Sequence, residues 1–329
     1  MREEIIAFAI LAFCITIAIA VGFGLRKNKR SSTMKRLYGF VVILAFIPLL
    51  IACYAIWYLN RPLPEDTEQI LFQGVTYIRD VRDEPRSLII HVVRIELDAP
   101  GLAFLVTPPN AVDGHDVAAL TTSDFLAENN LQVAINGDFF DPWRDYGPWD
   151  YYPHTGDGVN LRGLTASNGE VYTQGYVPAE NYATMFISED NRVTFSSPET
   201  IFNAISGNLM LIQDGEFTEP QGYDSYLARQ HPRTAVALDE TERTLILIIV
   251  DGRQPNYSEG VSIPELAEIV IAYGGYTALN LDGGGSVTLA VKGEDGESDV
   301  LNSPIHNQIP GRERPIANHL GVVALPISP

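Results

Sequence analysis

Two long apolar stretches, Ile5–Leu25 and Leu37–Leu59, open the chain, and after them the hydrophobic pattern breaks into short runs bounded by Gly, Pro, Asn and Asp. Each stretch is long enough to cross a bilayer core of about 30 Å as a helix. The segment between them carries Arg26-Lys27-Asn28-Lys29-Arg30, Lys35 and Arg36, and so short and basic a loop stays in the cytoplasm. The pattern therefore predicts a two-helix transmembrane hairpin over residues 1–60 with both ends outside. Tyr54, Trp57 and Tyr58 would form its outer aromatic belt, with Pro48 tolerated in lipid. Met1-Arg2-Glu3-Glu4 lacks the positive start of a signal peptide, and no small-residue cleavage site follows. The expected location is the cell membrane, multi-pass, with the large domain extracytoplasmic.

Residues 61–80 read as a Pro- and acid-rich linker with a first strand, and 81–329 as the domain itself. Strands are predicted at Ile70–Ile78, Ser87–Leu97, Ala103–Val106, Leu131–Ile135, Glu170–Thr173, Arg192–Phe195 and Leu209–Ile212. The series continues with Thr234–Leu238, Thr244–Val250, Tyr276–Leu279, Val287–Val291 and Leu320–Leu325. Helices are fewer. Ser262-Ile263-Pro264-Glu265 is a capping box with an early proline, opening Pro264–Tyr273 and closing at Gly274-Gly275, and Thr121 to Asp124 opens a short helix to Asn129. Many strands, few helices and no regular strand–helix alternation predict an α+β domain: a mixed sheet with a few flanking helices.

Composition narrows the chemistry. Against 22 Lys and Arg stand 41 Asp and Glu, a formal net charge of −19, which repels nucleic acid. The two cysteines, Cys14 and Cys53, both lie in the apolar stretches, so the domain has no thiol nucleophile and no cysteine metal site. The histidines lack zinc-ligand spacing, and no nucleophile elbow, Walker loop or dinucleotide fingerprint is present.

Three predicted strands end in the same polar way: Asn136-Gly137-Asp138, Asp251-Gly252-Arg253 and Asn280-Leu281-Asp282-Gly283-Gly284-Gly285-Ser286. Asp-Gly and Asn-Gly are ordinary turn formers, but ligands gather outside one end of a sheet, and the pattern recurs. Three successive glycines remove every Cβ that would hold a ligand off the backbone, and can form a nest of amides for an anionic group. Asp141 to Asn160 has no period and holds Trp143, Tyr146, Trp149, Tyr151, Tyr152 and His154. These rings suit stacking on sugar faces, or an Ω-like loop packed on its own side chains.

At these residues the chain resembles the phosphodiester glycosidase family, which includes the mannose 6-phosphate uncovering enzyme. The resemblance runs from about Val81 to Leu325 on ordered motifs: Asn136-Gly137 with Phe139-Phe140, Ser167-Asn168-Gly169 and His231-Pro232-Arg233-Thr234-Ala235. Asp251-Gly252-Arg253, Asn280 to Ser286, Asn302-Ser303-Pro304 and Arg314-Pro315 complete the series. It implies a hydrolase cleaving a sugar-1-phosphodiester bond, here in envelope or exported glycans. Asp282, with Asp138 and Asp251 as partners, is the expected catalytic set, since cleavage at an anomeric carbon needs a carboxylate as base, nucleophile or stabiliser of an oxocarbenium-like transition state. Arg233, Arg253 and Arg314 offer forks that match phosphate oxygens. Asn136 and Asn280 would bind sugar hydroxyls or an acetamido group, with Gly137, Ser167, Asn168, Thr234, Gly283, Gly284, Gly285 and Ser286 as further substrate contacts. His231 is either a general acid or phosphate contact, or a cap to a turn. No cofactor is required on this reading, although Asp138, Asp141, Asp251 and Asp282 could instead hold Ca²⁺ or Mg²⁺ for a metal-dependent phosphodiesterase. A non-catalytic phosphoglycan-binding module is the other alternative.

Overall fold

The computed structural model describes residues 10–15, 17–19, 22, 40, 47, 50–176, 182–219 and 227–327. The chain divides into two compact units, Met1–Leu63 with Pro255–Tyr257, and Pro64–Gln254 with Ser258–Pro329.

The first unit corrects the expected membrane hairpin. Among the described residues no helix is long and apolar enough to cross a membrane, so neither the two spans nor the multi-pass membrane location drawn from them is upheld. Residues 50–59 are helical, but the basic loop and most of Ile5–Leu25 and Leu37–Leu49 lie outside the described residues.

The second unit corrects the fold class: it is mostly β-sheet, and every pairing between its named strands is antiparallel rather than mixed. The largest sheet has eight strands, in the order Thr67–Phe72, Val75–Arg82, Leu88–Glu96, Thr244–Val250, Arg233–Asp239, Gly275–Asn280, Leu209–Gln213, Glu216–Phe217. A second sheet orders Ser298–Val300, Leu289–Lys292, Val133–Asn136, His319–Val323 and Ala103–Val106. Leu245, Leu247 and Ile249 join Ile135, Leu289 and Leu320 in one buried cluster between the sheets. The alternate residues Ile246, Ile248 and Val250 join Leu266, Ala267 and Val270 of the helix Ile263–Ala272. A strand buried on both faces reads as a continuous apolar run, which is why Thr244–Val250 shows no alternation.

That helix has both halves of its capping box, Ser262 Oγ accepting from Glu265 N and Glu265 bonding back to Ser262 N. The shorter helix Thr122–Glu128 packs Phe125 and Leu126 against Leu131 and against Ala134 and Ala290 of the second sheet. The single strand expected over Ile70–Ile78 is a hairpin, because Gly74 turns the chain at φ +70, where an added Cβ would stand 2.3 Å from Ala99 Cβ. Within the aperiodic aromatic segment, Arg144–Gly147 and Asp150–Tyr152 pair as a second short hairpin.

Candidate active site

The three polar strand ends meet at one edge of the sheets. Arg233 pairs with Val250 and Ala235 with Asn280, which places the ends of Thr244–Val250 and Gly275–Asn280 on either side of the start of Arg233–Asp239. Asn136 ties the second sheet to that edge. Its Oδ1 accepts from Thr234 Oγ1 at 2.7 Å and Thr288 N at 3.2 Å, and its Nδ2 donates to the Asp282 carbonyl at 2.7 Å. Asn136 and Thr234, fully buried, are thus struts beneath the site. Gly137 is required because a Cβ there would lie 2.2 Å from Asn318 Oδ1.

Above these struts opens a cavity of about 500 Å³. Asp282 stands on its wall, facing Arg162, Arg253 and Arg314, with Trp143 and Phe139 as apolar surface. Asp282 Oδ1 accepts from Gly283 N at 2.8 Å. Burial raises the Asp282 carboxyl above its ordinary pKa, against the opposing pull of Ser286, Arg314, the Gly283 N–H and Arg162. Behind it lies Asp138, buried, its carboxylate accepting from Phe139 N and Gly163 N at 2.7 Å each. Burial pushes Asp138 well above the usual carboxylate range, and the negative charge of Asp282 adds to the shift. Because the charge of Asp282 is among the causes of the Asp138 shift, the titration of the two carboxylates belongs to the pair.

The glycines act chiefly by clearance. Gly283 N is engaged by Asp282 and Gly284 N by the Pro232 carbonyl at 2.9 Å, so these two amides are committed within the protein. A Cβ on Gly284, at φ +66, would meet Arg253 Nη2 at 2.8 Å, and one on Gly285 would meet Arg314 Nη2 at 2.6 Å. The triple glycine lets two guanidinium groups lie flat on the cavity floor. Gly285→Ala should therefore displace a flexible side-chain end and leave the scaffold intact. The expected outcome is a fall in kcat/KM of about tenfold or more, the worth of a charge-assisted contact, with the melting temperature nearly unchanged.

The remaining arginines differ. Arg162 was not singled out by its sequence context, yet it lines the cavity while its Nε and Nη2 bind Asp141 at 2.7 and 3.1 Å. Arg233 is buried, donates to the carbonyls of Val261 and Arg229 at 3.2 Å each, and does not line the cavity. Arg253 adopts φ +58 and donates from Nε to His231 Nδ1 at 3.2 Å. Asn208, also absent from the expected set, lines the cavity and accepts at 2.7 Å from Asn280 Nδ2, which places Asn280 one layer back.

Other expected residues lie away from the cavity. Ser167 Oγ donates to the Val106 carbonyl, and Asn168, at φ +51, forms with Gly169 the turn between the strands Thr165–Ser167 and Glu170–Thr173. Asp251 is buried among Asn302, Ser303 and His91. The four aspartates considered for a divalent cation have separate partners, and among the described residues no three His, Cys, Asp or Glu side chains are grouped to hold a metal ion.

Compared by sequence, none of the curated proteins matches this chain. Among solved structures it is similar to the catalytic domain of zebrafish N-acetylglucosamine-1-phosphodiester alpha-N-acetylglucosaminidase, auto-inhibited by its pro-peptide, at 23% identity and a TM-score of 0.53 over 80% of this chain and 84% of that one. It is also similar to a hypothetical protein from Synechocystis, at 17% identity and a TM-score of 0.50, over 79% of this chain but 64% of that one. At these identities the likenesses speak for the fold alone. The family itself is shown by sequence: a model of the phosphodiester glycosidases matches residues 129–323, more than half of the chain, and the protein belongs to that enzyme family.

Proposed function

We propose that the cavity hydrolyses a sugar-1-phosphodiester at the anomeric carbon, with Asp282 serving that carbon and Arg253, Arg314 and Arg162 holding the phosphate. The observation that carries this reading is the carboxylate of Asp282 set among three guanidinium groups in a cavity of about 500 Å³, whose second carboxylate, Asp145, lies 3.6 Å from Arg314 Nη2. In so acidic a protein, such a local excess of positive charge suits an anionic ligand. Phosphate departs readily, so the step needs little acid assistance, whereas positive charge grows on the sugar and a carboxylate beside it lowers the barrier. Trp143, half-exposed on the wall with Arg314 5.4 Å over its ring, offers a face to the sugar. The likeness to the zebrafish enzyme, whose name specifies an N-acetylglucosamine-1-phosphodiester, makes that sugar the first to try.

Turnover of UDP-N-acetylglucosamine in ¹⁸O-labelled water tests the bond that breaks. Glycosidic cleavage places the label on the anomeric carbon of the released sugar. Label in the phosphate, with loss of activity in EDTA, would instead establish metal-assisted attack at phosphorus and overturn the proposal.

A further inference from the structure

Arg253 and Arg314 come from different segments, yet each is held in the same way. Arg253 Nε donates to His231 Nδ1 at 3.2 Å, and Arg314 Nε donates to His306 Nδ1, also at 3.2 Å. In both, the bond takes up the inner nitrogen of the guanidinium while its face lies flat over Gly284 or Gly285, and Arg314 is further steadied by Ser286 Oγ, 3.4 Å from Nη1, and by Asp145, 3.6 Å from Nη2. A histidine that accepts at Nδ1 must be neutral and carry its proton on Nε2. The surroundings enforce that state. Burial first, then Arg253, Arg233 and Arg229, lowers His231 to about 4, and burial with Arg314, Arg312 and His154 lowers His306 to about 3. His306 is 1% exposed, and its ring meets that of Tyr151 edge-on with centroids 4.9 Å apart.

We infer that His231 and His306 are positioning residues, two matched imidazole acceptors that aim Arg253 and Arg314 at the two non-bridging oxygens of one phosphodiester. The inference rests on the reading of those arginines as the phosphate clamp. Neither histidine touches the reacting atoms. Each removes rotamer freedom from a long side chain before substrate arrives, and a fork held in place loses less on binding than a mobile one.

The test uses the full chain, a sugar-1-phosphodiester as substrate and inorganic phosphate as inhibitor. His306→Ala should raise both KM and the phosphate inhibition constant by about tenfold, roughly the orientation of one charge-assisted contact, with kcat changed much less. His306→Asn, which keeps an acceptor near the place of Nδ1, should restore most of the loss. The pair His231→Ala and His231→Asn should behave in parallel. Since His306 acts through Arg314, the double variant His306→Ala, Arg314→Ala should be no worse than Arg314→Ala alone. Additive losses, or an Asn variant as impaired as the Ala variant, would overturn the positioning role. A strong Arg314→Ala defect beside a silent His306→Ala overturns this inference alone. An Arg314→Ala enzyme with unchanged KM and phosphate inhibition removes the clamp reading and this inference together.

Discussion

Asp282→Asn is expected to lower kcat by at least about a hundredfold, the low end of what a positioned base or nucleophile contributes, while substrate binding holds or tightens. The amide keeps the shape of the side chain and an acceptor for Gly283 N, so the loop from Asp282 to Ser286 should stay in place. What disappears is the negative charge beside the anomeric carbon. Removing it also relieves the repulsion of the phosphate by a carboxylate within the same arginine-lined cavity. The wild-type pH profile carries a linked expectation. Asp282 must be ionised to act, and burial raises its pKa, so activity should fall as pH drops through a value above that of an ordinary carboxylate. Because Asp138 is raised as well, the midpoint reports the pair. Circular dichroism and melting on the variant separate chemistry from scaffold: near-full kcat in a stably folded Asp282→Asn protein would take Asp282 out of the reaction.

Features set by local sequence were legible before the structure. The capping box of Ile263–Ala272 and the buried run Thr244–Val250 follow from neighbours along the chain, whereas the convergence of the Asn136, Asp251 and Asn280 loops, signalled by their shared polar endings, is made by long-range strand pairing. The domain was expected as α+β on a mixed sheet; its sheets are antiparallel because strand direction is set by long-range pairing, which an apolar run does not encode, and the helices Thr122–Glu128 and Ile263–Ala272 are too short beside so many strands to make the class. Within the site, residue type was a better guide than residue role. Asn136 was expected to touch sugar, yet it sits fully buried as a strut, since an amide between two sheets satisfies three backbone and side-chain partners at once. Arg162 and Asn208 were not expected because each stands beside a single glycine, Gly163 or Gly207, with no neighbouring carboxylate to complete the pattern, and only the tertiary fold brings them to the cavity. His306 precedes an asparagine at φ +55 in an irregular turn, and nothing in its sequence context marks it as a partner of Arg314.

Asp251 shows the same lesson through energetics, and Asp251→Ala is expected to destabilise the fold more than it harms the chemistry. Its carboxylate is 1% exposed and accepts from Asn302 Nδ2 at 3.0 Å and from Ser303 N at 3.0 Å, with His91 Nε2 at 3.4 Å. His91 is in turn hydrogen-bonded to Tyr77 at 2.8 Å, so the network crosses the sheet from the strand Val75–Arg82 to the segment after Val300. Truncation would strand at least two buried donors, at a cost of about 3 kcal/mol or more. In a domain of this size, that lowers the melting temperature by roughly 6–12 °C. Arg253 lies two residues along the same turn and adopts φ +58, so the loop that brings Arg253 to the cavity is anchored through Asp251. At temperatures where the variant is fully folded, kcat should therefore stay within a few-fold of wild type, with any loss appearing in KM. Asp251→Asn keeps one acceptor oxygen for Ser303 N and should fall between the two in stability. An Asp251→Ala enzyme that melts like the wild type but has lost kcat would return this residue to the catalytic set.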